Sequence, residues 1–261
     1  MRPVPVLMYH HINPHKGDMV TITPEVFEGQ MEYLYRAGYR TLKIAELIAY
    51  INGGLTLTQK AVVITFDDGW LDNYMYAFPV IKKYKINATV FLITNRVENA
   101  SQNATMIPSF IPMHEESKSL IEKREAHKAV LNWKLIKEMS NSGMIEFYSH
   151  TKSHAKCNSL PEKELMEELK ESREIIEKRL DSPCPYFCWP YGKYNGLAVN
   201  VAKKTGYKAL FTTNHGVVEA GSDPFAINRI IVKDSIAWFK KRMVVYTNTI
   251  LSKLYLKIKK K

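Results

Sequence analysis

Short runs of β-branched and aromatic residues alternate along this chain with longer segments in which apolar residues recur every three or four positions. Runs of the first kind are typical of buried parallel strands, and segments of the second kind are typical of amphipathic helices. We assign seven runs to strands: 4–8, 61–66, 87–94, 145–149, 186–189, 208–212 and 227–232. Because strands and helices alternate, we expect an α/β fold, a distorted (β/α) barrel of about seven parallel strands in a single domain.

One polar stretch, from about residue 95 to residue 130, breaks this pattern because it has no clean periodicity. A loop of this length in a compact domain is usually a functional cover or a mobile insertion. We therefore expect a polar insertion at 95–130 within a main domain that spans residues 1–235. His114 and His127 lie in the insertion, and we interpret both as ordinary surface histidines.

Polar side chains follow several of the predicted strands at the point where each strand ends. These groups are His10 and His11, Asp67 and Asp68, His150 and His154, and the tripeptide at 190–192. In barrels and open α/β sheets, the carboxyl ends of the strands carry the chemistry. The sequence therefore predicts an active site at this end of the barrel.

The adjacent carboxylates Asp67 and Asp68 directly follow a strand of buried residue types. Because adjacent carboxylates repel each other, at least one of them needs a compensating positive charge, and a metal ion is its simplest source. The alternative is that the two aspartates cap the next helix, since Asp is a good N-cap residue. This stretch alone leaves both interpretations open.

His150 and His154 are four residues apart and can face one point on a helical turn or a tight loop. Imidazole together with carboxylate suits Zn²⁺, and it suits other divalent first-row metals less distinctively. With one carboxylate of the Asp67–Asp68 pair, the two histidines would supply three protein ligands, which is the arrangement of a catalytic zinc site. The other aspartate would then stay free to act as a base.

Composition limits the class of protein without changing this picture. The chain has 261 residues, of which 46% are hydrophobic and 24% are charged, and these percentages are typical of globular proteins. It contains no run of 18 apolar residues, and its amino terminus does not resemble a signal peptide, so we expect a cytoplasmic protein. The odd number of cysteines argues against a disulfide framework, and buried free thiols are expected at Cys157, Cys184 and Cys188.

The net charge of +11 is concentrated at the carboxyl terminus. Residues 240–261 contain eight Lys and Arg residues and no acidic residue, which leaves a net charge of only +3 for residues 1–239. Residues 236–261 are therefore expected to form a basic amphipathic helix or tail. Such a helix suits contact with an anionic membrane, and the alternative is a helix docked on the barrel with a solvated lysine face. Nucleic-acid binding would rest on this tail alone, and we do not expect it.

Three motifs resemble those of the polysaccharide deacetylases, carbohydrate esterase family four, also called the nodulation-protein-B homology domain. The motifs are TFDDG at 65–69, SHTKSH at 149–154 and WPYG at 189–192. Together the three motifs are highly specific for this family, whereas no single motif would be specific on its own. The resemblance covers about residues 3–232, and it is greatest to the circularly permuted branch, the poly-N-acetylglucosamine deacetylases.

The resemblance implies a role for each motif. Asp67 is the expected general base. The expected metal ligands are Asp68, His150 and His154. The backbone N–H of Tyr191 is expected to help hold the oxyanion of the tetrahedral intermediate. The other residues of the third motif are expected to bind substrate, and they are Trp189, Pro190 and Gly192.

The resemblance leaves three histidines as candidates for the general acid. In most of the family this acid is a histidine near the carboxyl terminus, whereas in the permuted branch it follows the first strand. We therefore expect His10 to be the acid rather than its neighbour His11, and His215 is the rival candidate.

The chain departs from the family pattern at one place. The third motif of the family usually contains an arginine that pairs with the catalytic base, and Cys188 and Trp189 occupy that region here. Arg229, on the last predicted strand, could supply the missing charge. We therefore assign to Arg229, as a hypothesis, the role of tuning Asp67.

These assignments predict a metal-dependent de-N-acetylase. It would hydrolyse the N-acetyl group of an N-acetylhexosamine in a polysaccharide or in a lipid-linked glycan of lipopolysaccharide type. The expected cofactor is a divalent metal, Zn²⁺ before Ni²⁺, Co²⁺ or Fe²⁺. Two alternatives stay open, a deformylase or other amidase acting on a lipid-linked amino sugar, and a catalytically idle carbohydrate-binding member. The expected location is the cytoplasm, at the inner face of the membrane if the tail binds lipid.

Overall fold

Seven parallel strands close into a barrel in the computed structural model, which describes residues 2–16, 18–103, 108 and 110–259. The strands in chain order are β1 (Val6–Tyr9), β2 (His11–Ile12), β3 (Thr21–Ile22), β4 (Arg40–Thr41), β5 (Ala61–Phe66), β6 (Ala88–Leu92), β7 (Ile145–Ser149), β8 (Tyr186–Cys188), β9 (Ala209–His215) and β10 (Ile227–Ile231). β1 pairs with both β10 and β5, and β9, β8, β7 and β6 complete the ring. β4 extends the sheet beside β5, and β2 pairs with β3 separately. The predicted barrel of about seven parallel strands is therefore confirmed.

Helices surround this ring. They are α1 (Pro24–Arg36), α2 (Ile44–Ile51), α3 (Phe78–Tyr84), α4 (Thr94–Asn103), α5 (His114–Glu122), α6 (Trp133–Asn141), α7 (Glu162–Leu180), α8 (Gly196–Lys204), α9 (Ile236–Tyr246) and α10 (Thr249–Lys259). Across the described ranges, we find no helix with both the length and the apolar character needed to cross a membrane.

The central strands are buried along their whole length. All residues of β1, β5 and β6 are buried, and most of them are apolar. This is expected where helices cover the outer face of a parallel barrel and side chains fill its interior. Tyr9 and Phe66, the last residues of β1 and β5, lie side by side, and Phe66 lies beside Val90, two residues before β6 ends. The residues that follow the strands therefore meet at one end of the barrel.

The polar stretch at 95–130 contains helices that its sequence did not predict. Nearly all of α4 and the whole of α5 lie within it. Contacts with the rest of the domain stabilise α4, because Glu98 accepts hydrogen bonds from Trp133 Nε1 at 2.8 Å and from the Arg179 guanidinium at 2.8 and 3.0 Å. Tertiary contacts of this kind outweigh weak local periodicity. Residues 104–107 and 109 of this stretch lie outside the described residues.

The carboxyl-terminal segment forms two helices, whereas one was predicted for 236–261. Three side chains of α9 are buried in the domain core, and they are Phe239, Met243 and Tyr246. Between the helices, Asn248 Oδ1 accepts hydrogen bonds from the N–H groups of Ile250 and Leu251, both at 3.0 Å. Asn248 is therefore the N-cap of a second helix. The sequence did not reveal this boundary, because apolar residues recur every three or four positions through both helices. The last two residues of the predicted tail, 260–261, lie outside the described residues.

Candidate active site

A buried ion pair lies at the carboxyl end of β5. Arg229 of β10 donates two parallel hydrogen bonds to Asp67, from Nη1 to Oδ1 at 2.8 Å and from Nη2 to Oδ2 at 2.7 Å. The same guanidinium donates from Nε to Thr212 O at 2.8 Å and from Nη1 to Thr65 Oγ1 at 3.3 Å. Arg229 therefore lies where we expected a positive charge, although it is 162 residues from Asp67 in the chain.

This pairing determines the charge of Asp67. Burial alone would raise the pKa of the Asp67 carboxyl group, but the Arg229 guanidinium outweighs burial and lowers that pKa below its ordinary value. Cys188 Sγ lies 3.8 Å from both carboxylate oxygens. Because burial raises the pKa of the Cys188 thiol well above its ordinary value, the thiol stays protonated. Asp67 is therefore an ionised carboxylate held between a guanidinium and a neutral thiol.

Asp68 faces two histidines from the loop that follows β7. Its Oδ1 lies 3.5 Å from His150 Nε2 and 3.2 Å from His154 Nε2. The three ligand atoms lie within 4.8 Å of one another. Trp70 Nε1 donates to the other carboxylate oxygen, Oδ2, at 3.1 Å. The structure thus brings together the three residues that the sequence nominated as metal ligands.

Hydrogen bonds at the far side of each imidazole orient the two rings. His150 Nδ1 donates to Cys188 O at 2.7 Å, and His154 Nδ1 lies 3.0 Å from the Tyr191 hydroxyl. Burial lowers the pKa of His150 to about 4, so this ring is neutral at neutral pH. With its hydrogen on Nδ1, His150 presents the lone pair of Nε2 toward Asp68. This is the tautomer that a metal ligand requires.

These donors fit a divalent cation. Asp68 Oδ1 is buried and has no hydrogen-bond partner within the part of the chain that the structure describes. A buried carboxylate oxygen ordinarily has one. Two imidazole nitrogens and a carboxylate oxygen are the ligands of a catalytic zinc site, which keeps one position open. Because other first-row metals accept the same donors, the ligand set indicates the class of cation.

Of the three candidate acids, the structure places His10 beside Asp67. His10 follows β1 and lines the same pocket, with its Nε2 at 3.9 Å from Asp67 Oδ2. The neighbouring His11 is buried elsewhere, and its Nδ1 lies 2.5 Å from Asp72 Oδ2. His215 lies 3.1 Å from the hydroxyl of a tyrosine in α9 and is not among the residues that line the pocket.

The third motif forms a tight turn after β8. Gly192 N–H donates to Trp189 O at 3.0 Å. Gly192 has a φ of +63°, and a Cβ there would lie 1.9 Å from Thr213 Oγ1, so only glycine fits. Trp189 and Tyr191 line the pocket, whereas Pro190 and Gly192 are not among its lining residues. Gly192 thus shapes the turn that presents the other two.

The pocket that these groups line has a volume of about 210 Å³. Sequence reasoning missed six of its lining residues, which are Val20, Trp70, Arg96, His114, Lys118 and Thr213. The interpretation of His114 as a surface residue was wrong, because the half-buried ring lies in the pocket wall, with Nδ1 2.9 Å from His11 Nε2. No local signal could have revealed it, since α5 reaches the pocket only through the tertiary fold. His127 is also half-buried and does not line the pocket.

A parallel barrel with this cluster at the carboxyl end of its strands defines an α/β-barrel hydrolase whose site suits a divalent cation. The family model described as polysaccharide deacetylase matches residues 54–210. The chain belongs to the polysaccharide deacetylase family, hydrolases that act on amide bonds other than peptide bonds, as the three motifs indicated.

Named relatives support this membership. YxkH of Bacillus subtilis (strain 168), assigned to the polysaccharide deacetylases, is 30% identical over 234 residues, which are 90% of this chain and 73% of that protein. The poly-beta-1,6-N-acetyl-D-glucosamine N-deacetylase of Staphylococcus aureus (strain MSSA476) is 28% identical over 223 residues, 82% of this chain and 68% of that protein. The structure of the Streptococcus pyogenes deacetylase PplD in complex with acetate has a TM-score of 0.77 at 26% identity and covers 92% of this chain and 98% of that one.

Replacing Arg229 by Gln is expected to lower both stability and turnover. The variant leaves Asp67 as a buried carboxylate without its guanidinium, and breaking a buried pair in this way costs about 3–5 kcal/mol. We expect kcat to fall at least about 10²-fold, since Asp67, the expected general base, is no longer held. Urea unfolding measures the first effect, and acetate release measures the second.

The matched control is the double variant Asp67→Asn/Arg229→Gln. It removes both charges, so it should regain much of the lost unfolding free energy while staying inactive. If Arg229→Gln turned over as fast as the wild type while Asp67→Asn was inactive, Arg229 would have no role in tuning the base.

Adding Zn²⁺ to metal-free protein is expected to raise its melting temperature. A ligand at 100 times its Kd stabilises the folded state by about 2.7 kcal/mol. The shift should disappear in His150→Ala and in Asp68→Ala, each of which removes one donor, and it should persist in the control His127→Ala. Metal content after dialysis provides a second measurement. Full activity in a metal-free preparation would contradict this interpretation of the site.

Proposed function

We propose that this protein is a metal-dependent de-N-acetylase that removes the acetyl group from N-acetylhexosamine units of a glycan. The observation that carries the proposal is the convergence of three features in one pocket. They are an ionised carboxylate, a metal-type triad and a histidine 3.9 Å from that carboxylate. Carbohydrate binding alone would not need a base beside a metal site, so this set argues against a catalytically idle member.

Each side chain has a defined part in the proposed reaction. A divalent cation would supply Lewis-acid polarisation of the acetyl carbonyl when bound. The residues that would hold it are Asp68, His150 and His154. Asp67, kept ionised by Arg229, accepts the proton of the attacking water. The N–H of Tyr191 donates to the developing oxyanion, and His10 protonates the leaving nitrogen, which yields acetate and a free amine.

The size of the pocket limits what enters it. A volume of about 210 Å³ is below the roughly 300–1,000 Å³ of ordinary small-molecule sites. The pocket therefore suits an acetamido group and part of one sugar ring, and the rest of the glycan would lie outside. Since the Staphylococcus aureus relative is named for poly-beta-1,6-N-acetyl-D-glucosamine, we propose N-acetylglucosamine units of such a polysaccharide as substrate. A lipid-linked glycan of lipopolysaccharide type is the second form that we propose.

Metal-loaded enzyme is expected to release acetate and free amine in equal amounts from β-1,6-linked N-acetylglucosamine oligomers. Replacing His10 by Gln should lower kcat by about 10²–10⁴-fold, because the leaving nitrogen loses its proton donor. His15→Gln is the matched control, since His15 lies nearby on the chain but outside the pocket. Acetate is measured enzymatically, and the free amine is measured by derivatisation.

Two outcomes would contradict this function. Faster release of formate from N-formyl sugars than of acetate from N-acetyl sugars would support the deformylase alternative. Binding of the oligomer with no hydrolysis by metal-loaded protein would support the carbohydrate-binding alternative.

We further propose that α10 holds the protein on an anionic membrane, at the inner face of the cytoplasmic membrane. Ile250, Leu254 and Ile258 are each more than half exposed, and their spacing places them on one face of the helix. The opposite face turns inward, where Ser252 is buried and the Tyr255 ring lies against α9. α10 thus has an apolar stripe that its own contacts leave exposed.

The charges around this stripe favour anionic lipid. Lys253 and Lys257 of α10 are exposed, and so are Lys240 and Lys241 of α9. The segment has no acidic residue to oppose them. Basic residues beside an exposed apolar stripe are typical of a helix that lies in a membrane interface. The stripe is separate from the catalytic pocket, because none of the described side chains of α10 lines that pocket.

The wild-type protein is expected to float with vesicles that contain phosphatidylglycerol and to be released by high salt. Leu254→Asp should weaken this binding at least about tenfold, because a buried leucine contributes about 1.5–3 kcal/mol. Tyr35→Asp is the matched control, since Tyr35 is an exposed aromatic residue on α1. Absence of wild-type flotation, or equal flotation by Leu254→Asp, would contradict the proposal.

A further inference from the structure

We infer that His114 is a further substrate-binding residue of this site and that its Nε2 forms a hydrogen bond with a hydroxyl group of the bound sugar. The inference rests on the proposed de-N-acetylase function, because it names a contact within that site. A hydrogen-bonded chain from the domain interior to the pocket wall carries it, and its members are Asp72, His11 and His114.

The geometry of this chain is continuous. Asp72 begins the helical segment that lies between β5 and α3, and its Oδ2 is 2.5 Å from His11 Nδ1. His11 Nε2 is in turn 2.9 Å from His114 Nδ1. The side chains of Asp72 and His11 are each only 1% exposed, whereas His114 is half-buried and lines the pocket. Three polar groups therefore connect a buried carboxylate to the place where substrate would bind.

The partners determine which ring atoms carry hydrogen. A carboxylate only accepts, so His11 Nδ1 donates to Asp72, and the second ring nitrogen of His11 shares a hydrogen with His114 Nδ1. Burial, together with the neighbouring His11 and Lys118, lowers the pKa of His114. The other ring nitrogen of His114, Nε2, has no hydrogen-bond partner among the residues that the structure describes, so it is available to a ligand.

Further contacts hold the chain in a constant position relative to the metal ligands. Asp72 Oδ1 accepts a hydrogen bond from Asn73 Nδ2 at 3.0 Å. The Trp70 ring stacks on His11 with centroids 4.3 Å apart, and its Nε1 donates to Asp68. Because Trp70 contacts both His11 and the expected metal ligand Asp68, the ring of His114 keeps a defined place in the pocket.

A purely structural role would not explain this arrangement. Burying a carboxylate and an imidazole carries a desolvation penalty, and apolar side chains would dock α5 on the barrel at lower cost. The chain ends, moreover, on a polar ring atom of a residue that lines the pocket. A sugar, whose hydroxyl groups both donate and accept hydrogen bonds, is the class of ligand that such an atom serves.

The test compares His114→Asn with the wild type. The asparagine amide can still meet His11 Nε2, but the variant lacks an atom at the position of Nε2. We expect KM for the N-acetylglucosamine oligomer to rise about tenfold, as for the loss of one hydrogen bond, with kcat changed much less. The ratio of kcat/KM for the oligomer to kcat/KM for an aryl acetate ester, which has no sugar hydroxyl, should fall by a similar factor. The control is Glu116→Gln, an exposed position on α5.

The outcomes separate this inference from the proposed function. If the wild type deacetylates the oligomer and His114→Asn has the same KM, the inference alone is wrong. If both substrates are affected equally and the melting temperature falls, His114 has only a structural role, which also overturns it. If the wild type binds the oligomer without hydrolysing it, the proposed function is wrong. The contact is then still tested by equilibrium dialysis, which compares the Kd of the oligomer for the wild type with its Kd for His114→Asn. Absence of oligomer binding by the wild type would overturn both.

Discussion

Two carboxylates buried side by side at the end of one strand are the constraint on which the rest of the site depends. Asp67 and Asp68 are nearly inaccessible to solvent, so each needs its own counter-charge to stay ionised. Asp68 has a φ of 74°, in the left-handed region, and faces the two histidines, while Asp67 meets Arg229. Because β1 lies between β5 and β10, the guanidinium reaches Asp67 only across the interior of a closed barrel. Closure of the barrel is therefore a requirement of the chemistry.

Backbone strain is concentrated at the same place. Among the described non-glycine residues, seven have a positive φ, and four of these seven belong to the site: Asp68, Thr151, His154 and Tyr191. Such residues cost on the order of 1–3 kcal/mol each, and they persist only where surrounding contacts hold them. Here Glu168 of α7 accepts hydrogen bonds from the N–H groups of Lys152 and Ser153, at 3.1 and 2.9 Å. A long helix thus braces the loop that carries both histidines.

The nominated residues that the structure brings together in the pocket share one property, which is that each follows a strand. The Asp67–Asp68 pair and His150 come directly after runs of buried residue types, and parallel strands bring their ends together whatever the intervening helices do. Arg229 is different, because its strand has no feature that points to Asp67. It was proposed only because the third motif lacks the arginine that the family usually has there. The boundary between α9 and α10 was missed for another reason, since the apolar period continues through the N-cap Asn248.

Side-chain alternation explains both why His10 faces Asp67 and why the position of His114 was missed. Successive residues of an extended segment face opposite sides, so His10 and His11 cannot both face one pocket. The sequence shows that the two histidines face opposite sides, but it does not show which of them faces the pocket. The pairing of β1 with β10 and β5 determines that choice. Once His10 faces Asp67, His11 must find partners on the other side. It finds Asp72, 61 residues away, and His114, 103 residues away. A group recruited from a polar insertion has no periodic signal, so packing alone determines its place.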